Sequence, residues 1–95
     1  MQRGEIIMDM LEFFLNEYEE EAWNRFASCF EDVNIQINGV PQEIVNVIFN
    51  ILGDNTGYDW LHKSLHKFDG KSAIELLKTK KGEKALKAFI MRLPN

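Results

Sequence analysis

Cysteine is nearly absent: Cys29 stands alone among 95 residues. That excludes an internal disulfide and a cysteine-rich zinc site. Long apolar runs are absent too. Asp9 and Glu12 interrupt the first apolar stretch, and Asn46 and Asn50 the second. No segment can span a bilayer, and the start does not read as a signal peptide, so the cytoplasm is the expected location. Internal repeats and low-complexity tracts are missing. Basic residues are scarce in the front half. Residues 1–50 hold only Arg3 and Arg25 against ten acidic residues, a balance of −8, whereas residues 51–95 hold nine basic and five acidic, a balance of +4, for a total of −4. An acidic front half is a poor surface for phosphate backbones. The basic back half suits an acidic protein, a nucleic acid or the front half of another copy. Its simplest reading is a solvated lysine-rich helix.

Apolar residues are present in quantity. They make up 45% of the chain and include seven Phe, two Trp and two Tyr. A chain this short fills one modest core, not two, and does not default to disorder. From Glu5 to Glu31 there is neither Gly nor Pro. Ile7, Leu11, Phe14, Tyr18, Ala22, Phe26 and Phe30 recur in steps of three and four, a helical stripe widened by Met10, Leu15 and Trp23. One long helix, or two with a break at Asn16 or Asn24, satisfies the pattern.

Val33, Ile35 and Ile37 then alternate with Asn34, Gln36 and Asn38, which is strand period, and Asn38–Gly39 is a turn signal. Five residues make no sheet alone. The segment is an extended linker, or one strand of a pairing between chains. Pro41 suits a first helical position, Glu43 follows in the first turn, and Ile44, Val47, Ile48, Ile51 and Leu52 form an apolar face up to Gly53. Thr56 with Asp59, and Ser72 with Glu75, have capping-box spacing. The first of these helices carries Trp60, Leu61 and Leu65 inward. Asp69–Gly70 turns the chain. Thr79 can cap a last helix that carries Ala85, Leu86, Phe89, Ile90 and Leu93 inward and stops before Pro94. The fold class is all-α: a long N-terminal helix or helix pair (1–32), an extended linker (33–40), and a compact bundle of about four short helices (41–95).

The ordered set Trp60–Leu61, Phe68–Asp69–Gly70–Lys71–Ser72–Ala73–Ile74–Glu75–Leu76–Leu77, Thr79, Gly82, Phe89, Arg92 and Leu93 resembles the C-terminal toxin-binding domain of the MbcA/ParS/Xre antitoxin family. The resemblance covers roughly residues 52–93. It departs from the family at Ala73, where Pro often follows Ser or Thr, and in the front half, which has no clear helix-turn-helix pattern. It implies a non-catalytic protein that binds and neutralises a RES-type toxin acting on NAD, with its C-terminal helices covering the toxin. DNA binding is not expected.

Other constellations carry less chemistry. His62 and His66 share a helix face, but Lys63 and Lys67 beside them repel a dication, so they read as surface histidines and no metal is expected. Cys29 has Phe26, Phe30, Glu31 and Asp32 for neighbours, a setting that disfavours a thiolate, and it reads as a small buried apolar residue. Glu17, Glu19, Glu20 and Glu21 read as a solvated face. No candidate nucleophile has a base, so neither catalysis nor a cofactor is expected. Lys80, Lys81, Lys84, Lys87 and Arg92 on the last helix are the expected partner-binding residues, able to speed encounter with an acidic protein. Self-association through the aromatic-rich first helix is expected as well. An oligomerising adaptor with no toxin partner is the alternative function.

Overall fold

A computed structural model describes residues 9–93. Ile7 and Pro94, which bound the expected pattern, lie outside the described residues. The chain is a helix pair, an extended connection and four further helices: α1 (Met10–Glu17), α2 (Glu20–Ala27), α3 (Gln42–Leu52), α4 (Asp54–His62), α5 (Ala73–Leu76) and α6 (Lys80–Met91). A single 3-10 turn, His66–Phe68, joins α4 to α5.

The front stripe is a pair of helices, and the break falls at neither asparagine. Tyr18 and Glu19 are extended, with ψ of 133° and 125°. This bend lets Phe14 of α1 and Trp23 of α2 both turn inward, where they are buried. It also gives the glutamate run a local role. Glu20 and Glu21 occupy the first turn of α2, and Arg25 its last, which matches the polarity of the helix dipole.

Among the described residues the linker has no partner strand, and side chains of α3 supply partner groups instead. Gln42, Asn46 and Asn50 form a polar stripe at four-residue spacing. Asn50 donates to the Glu31 carbonyl at 2.9 Å, Asn46 accepts from the Val33 N–H at 3.2 Å, and Gln42 donates to the Ile35 carbonyl at 3.0 Å. Asn34, with φ of +62°, interrupts the strand geometry. The two asparagines that broke the apolar run of α3 therefore satisfy linker backbone that α3 would otherwise cover unpaired.

Pro41 is the N-cap of α3, one position earlier than expected, and its carbonyl accepts from Ile44 and Val45. Gly53 closes α3 and opens α4. At φ of +88° and ψ of 169° it reverses the chain alone, in a conformation that a side chain would disfavour. Its carbonyl accepts from Gly57 at 2.8 Å, so α4 starts at Asp54, and Thr56 sits inside the helix instead of capping it. The later caps form as the spacing requires. Ser72 Oγ accepts from the Glu75 N–H at 3.2 Å while Glu75 Oε1 accepts from the Ser72 N–H at 2.8 Å, and Thr79 Oγ1 accepts from the Gly82 N–H at 2.9 Å. Gly82 is obligatory for space: a Cβ there would collide with the Leu76 carbonyl.

One core joins all these elements. Phe14, Trp23, Ile44, Ile48, Leu61, Phe68, Leu86 and Ile90 belong to a single buried cluster. α6 runs along α1 and also touches α2 and α5. The described helices of the acidic segment, α1 and α2, form one wall of the same bundle as 41–93. Trp23 is the fully buried tryptophan, whereas Trp60 is partly buried and stacks on Phe89 at 6.3 Å. Taking an indole of about 200 Å² out of water is worth at most about 5 kcal/mol. Trp23 thus anchors α2, the more polar of the front helices.

Candidate partner-binding surface

The expected basic set on α6 divides into two groups. Lys80, Lys81 and Lys84 are exposed, and among the described residues none makes an ion pair. Lys87 and Arg92 are committed within the chain. Lys87 is only 7% exposed. Its ammonium lies 3.1 Å from Glu43 Oε2, 3.0 Å from Glu83 Oε2 and 5.5 Å from the centroid of a Trp23 ring. Trp23 Nε1 donates to the other oxygen of Glu43 at 2.9 Å. Lys87 is thus an internal tie between α2, α3 and α6, and it is withdrawn from the expected partner-contacting set.

The electrostatics agree with that role. Burial works to raise the Glu43 pKa, but the Trp23 N–H and the Lys87 ammonium outweigh it and hold the carboxyl below its ordinary value. Burial works to lower the Lys87 pKa, and Glu83 and Glu43 overcome it, so the ammonium is held above its ordinary value. Both carboxylates favour the charged form of Lys87. Burial, opposed by Lys87 and helped by Glu20, Glu43 and Glu83, also raises the Tyr18 phenol. Tyr18, Glu20, Lys80 and Lys84 flank this tie around a cleft of about 210 Å³ between α2 and α6.

Arg92 spans to α1. Its Nε donates to Glu17 Oε1 at 2.7 Å and its terminal nitrogen to Oε2 at 3.0 Å, a bidentate pair that leaves the guanidinium over Phe13. Glu17 is therefore paired, while Glu17, Glu19, Glu20 and Glu21 are all exposed, as expected of a solvated run. The front half of this chain meets its own back half, a role that the charge balance left open to a neighbouring copy.

Cys29 is exposed, contrary to the expected burial. α2 ends at Ala27, so Cys29 lies in the following turn, off the apolar stripe. His62 and His66 are exposed. His62 Nδ1 lies 3.0 Å from the Tyr58 carbonyl oxygen, and the ring packs on Tyr58, which is 52% exposed. Among the described residues no group of three or more His, Cys, Asp or Glu side chains is placed to hold a metal, and no helix is long and apolar enough to cross a membrane. Sequence reasoning missed the Glu43–Lys87–Trp23 cluster, whose members lie too far apart in the chain for any spacing rule.

Together these features define a class, a small all-α bundle whose last helix is tied to the core and carries an exposed lysine edge. No protein-family model, curated protein or solved structure matches the chain.

Proposed function

We propose that this chain is a non-catalytic, antitoxin-like cytoplasmic protein that binds and neutralises a toxin enzyme of the RES type through its C-terminal helices. The observation that carries the reading is the division of the α6 cations. Lys87 is built into the bundle, while Lys80, Lys81 and Lys84 stand exposed and make no ion pair among the described residues. A rigid helix that offers unpaired lysines is suited to an acidic protein surface, since little ordering is needed on contact. The residues behind the family resemblance have structural jobs: Asp69–Gly70 forms a turn, Ser72–Glu75 a capping box and Thr79–Gly82 a capped, close-packed helix start. They support an architecture, and the partner class comes from the resemblance alone.

The alternative, an adaptor that self-associates through the front helices, needs an apolar face there. Phe14 and Trp23 are buried inside the chain, which favours contact through the lysine edge over self-association. The test is capture of partners from source-cell lysate on the tagged full chain at about 150 mM salt. A stoichiometric RES-type enzyme that is lost with Lys80→Glu/Lys84→Glu, while circular dichroism stays unchanged, supports the proposal. Capture that is indifferent to those changes refutes the surface. Sedimentation that finds only self-association favours the adaptor.

A further inference from the structure

Of the eight asparagines in the chain, Asn38 alone precedes a glycine. Asn16, Asn24, Asn46, Asn50 and Asn55 lie within helices, where the hydrogen-bonded backbone resists rotation. Asn34 precedes Ile35, whose branched Cβ crowds the nitrogen between them. Asn38 and Gly39 instead hold the two central positions of a turn, closed by the Val40 N–H donating to the Ile37 carbonyl at 3.0 Å. Gly39, at φ of +83°, has the conformation that a type II turn needs at its third residue. Both residues are exposed, and nothing lies within 4 Å of where a Gly39 Cβ would stand. Among the described residues neither the Asn38 side chain nor the Gly39 N–H makes a hydrogen bond.

We propose that Asn38 is a site of spontaneous covalent modification, converted through a cyclic imide with Gly39 into aspartate and isoaspartate. The Gly39 backbone nitrogen gives its proton to water and attacks Cγ of Asn38. A bond forms between that nitrogen and Cγ, the bond from Cγ to the side-chain nitrogen breaks, and ammonia leaves after taking up a proton. Water then opens the ring. Attack at Cγ yields aspartate in an ordinary main chain. Attack at the Asn38 carbonyl carbon yields isoaspartate, with the main chain running through Cγ. Nothing is oxidised or reduced, and water is the sole co-reactant. Water reaches the ring because the turn lines an open surface hollow with Gln36 and Gln42.

The second acid–glycine pair in the chain, Asp69–Gly70, is held differently. The Gly70 N–H donates to the Leu65 carbonyl at 3.0 Å, so the fold occupies the nitrogen that would attack. Either product at position 38 adds a negative charge to the acidic front half. Isoaspartate also lengthens the main chain inside the turn and opposes the Ile37–Val40 closure, while Gln42 still holds the linker at Ile35.

The test is incubation of the full chain for days at mildly alkaline pH. Peptide mass spectrometry reads the exchange of amide for acid, and chromatography separates the two products. The expected result is conversion at Asn38 at least about tenfold faster than at any other asparagine. Asn38→Gln, whose imide would need a larger and less favourable ring, stops it there while circular dichroism stays unchanged. Asp69 isomerises only in guanidinium, once Gly70 is released. The isoaspartate fraction exchanges its Val40 amide faster than the aspartate fraction. A folded chain that resists while the unfolded chain converts at Asn38 would overturn the inference. So would conversion as fast at Asn34 or at a helical asparagine, isomerisation of folded Asp69 as fast as conversion at Asn38, or equal Val40 exchange in the two fractions. None of these readouts needs a partner, so failure here is separable from failure of the proposed function.

Discussion

Replacing Lys87 by Met tests whether α6 carries an internal charge tie or an idle surface cation. Met keeps most of the aliphatic stem and removes the ammonium. Glu43 and Glu83 then face each other without the cation between them, and Trp23 retains only its N–H bond to Glu43. Removing one partner of a fully buried pair costs about 3–5 kcal/mol. Here the Glu43 and Glu83 side chains are 40% and 28% exposed, so water recovers part of that cost. A discounted loss of about 2 kcal/mol follows. For a domain of this size it lowers Tm by roughly 10 °C. Thermal unfolding followed by circular dichroism at pH 7 measures it. Lys87→Met with Glu43→Gln and Glu83→Gln should regain most of the loss, since no uncompensated charge remains. A Lys87→Met protein that melts with wild type would refute the reasoning, because the ammonium would then be solvated in the folded state as in the unfolded one.

The same cluster sets a pH dependence. The Glu43 pKa is lowered in the fold, so its contribution is complete above the ordinary value of 4.5 and is lost as pH falls through the lower folded value; Glu43→Gln should flatten that acid limb of a Tm-against-pH curve. The Lys87 pKa is raised, so its contribution holds below the ordinary value of 10.5 and is lost only as pH rises through the higher folded value, which Lys87→Met should remove. Gly82→Ala should destabilise the fold by about 1–3 kcal/mol, read as a lower urea midpoint, despite alanine's better helix propensity, because the new Cβ meets the Leu76 carbonyl. Asn46→Ala should cost about 1–2 kcal/mol and speed hydrogen exchange at the Val33 amide, which loses its acceptor. Ser72→Ala should cost about 1 kcal/mol in the same urea assay.

Local rules made most of the fold legible. The Ser72–Glu75 spacing, Thr79 before the last helix, and the Asp69–Gly70 pair each act within a few residues, and each forms as written. Two local readings failed for identifiable reasons. Thr56 had the right neighbour for a cap, but Gly53 had already turned the chain and started the helix. The bend at Tyr18–Glu19 has no glycine, proline or asparagine to mark it. It follows from the need to place Phe14 and Trp23 in one core, which is a tertiary demand. The Asn46 and Asn50 interruptions were legible as breaks in an apolar run, but their use as substitutes for a partner strand was not.

The candidate site was harder to read because its meaning depends on which charges cancel. The four lysines of α6 and Arg92 at its C-cap look alike in sequence, and helical spacing even groups Lys87 with Lys80 and Lys84. The structure divides them by partners that no local rule reaches: Glu43 lies 44 positions from Lys87, and Glu17 lies 75 from Arg92. The opposite charge balances of the two halves are therefore partly an internal device, holding α1 and α3 against α6. A cation spent in this way has its geometry fixed by the fold and little free charge to offer. A cation such as Lys84, which makes no ion pair among the described residues, stays open to a carboxylate from outside. Reversing charge should consequently have opposite signatures in the two groups. At Lys87 it should cost stability first. At Lys84 it should leave Tm nearly unchanged and cost association alone. A variant of Lys84 that melts early while still binding its partner would show the division to be wrong.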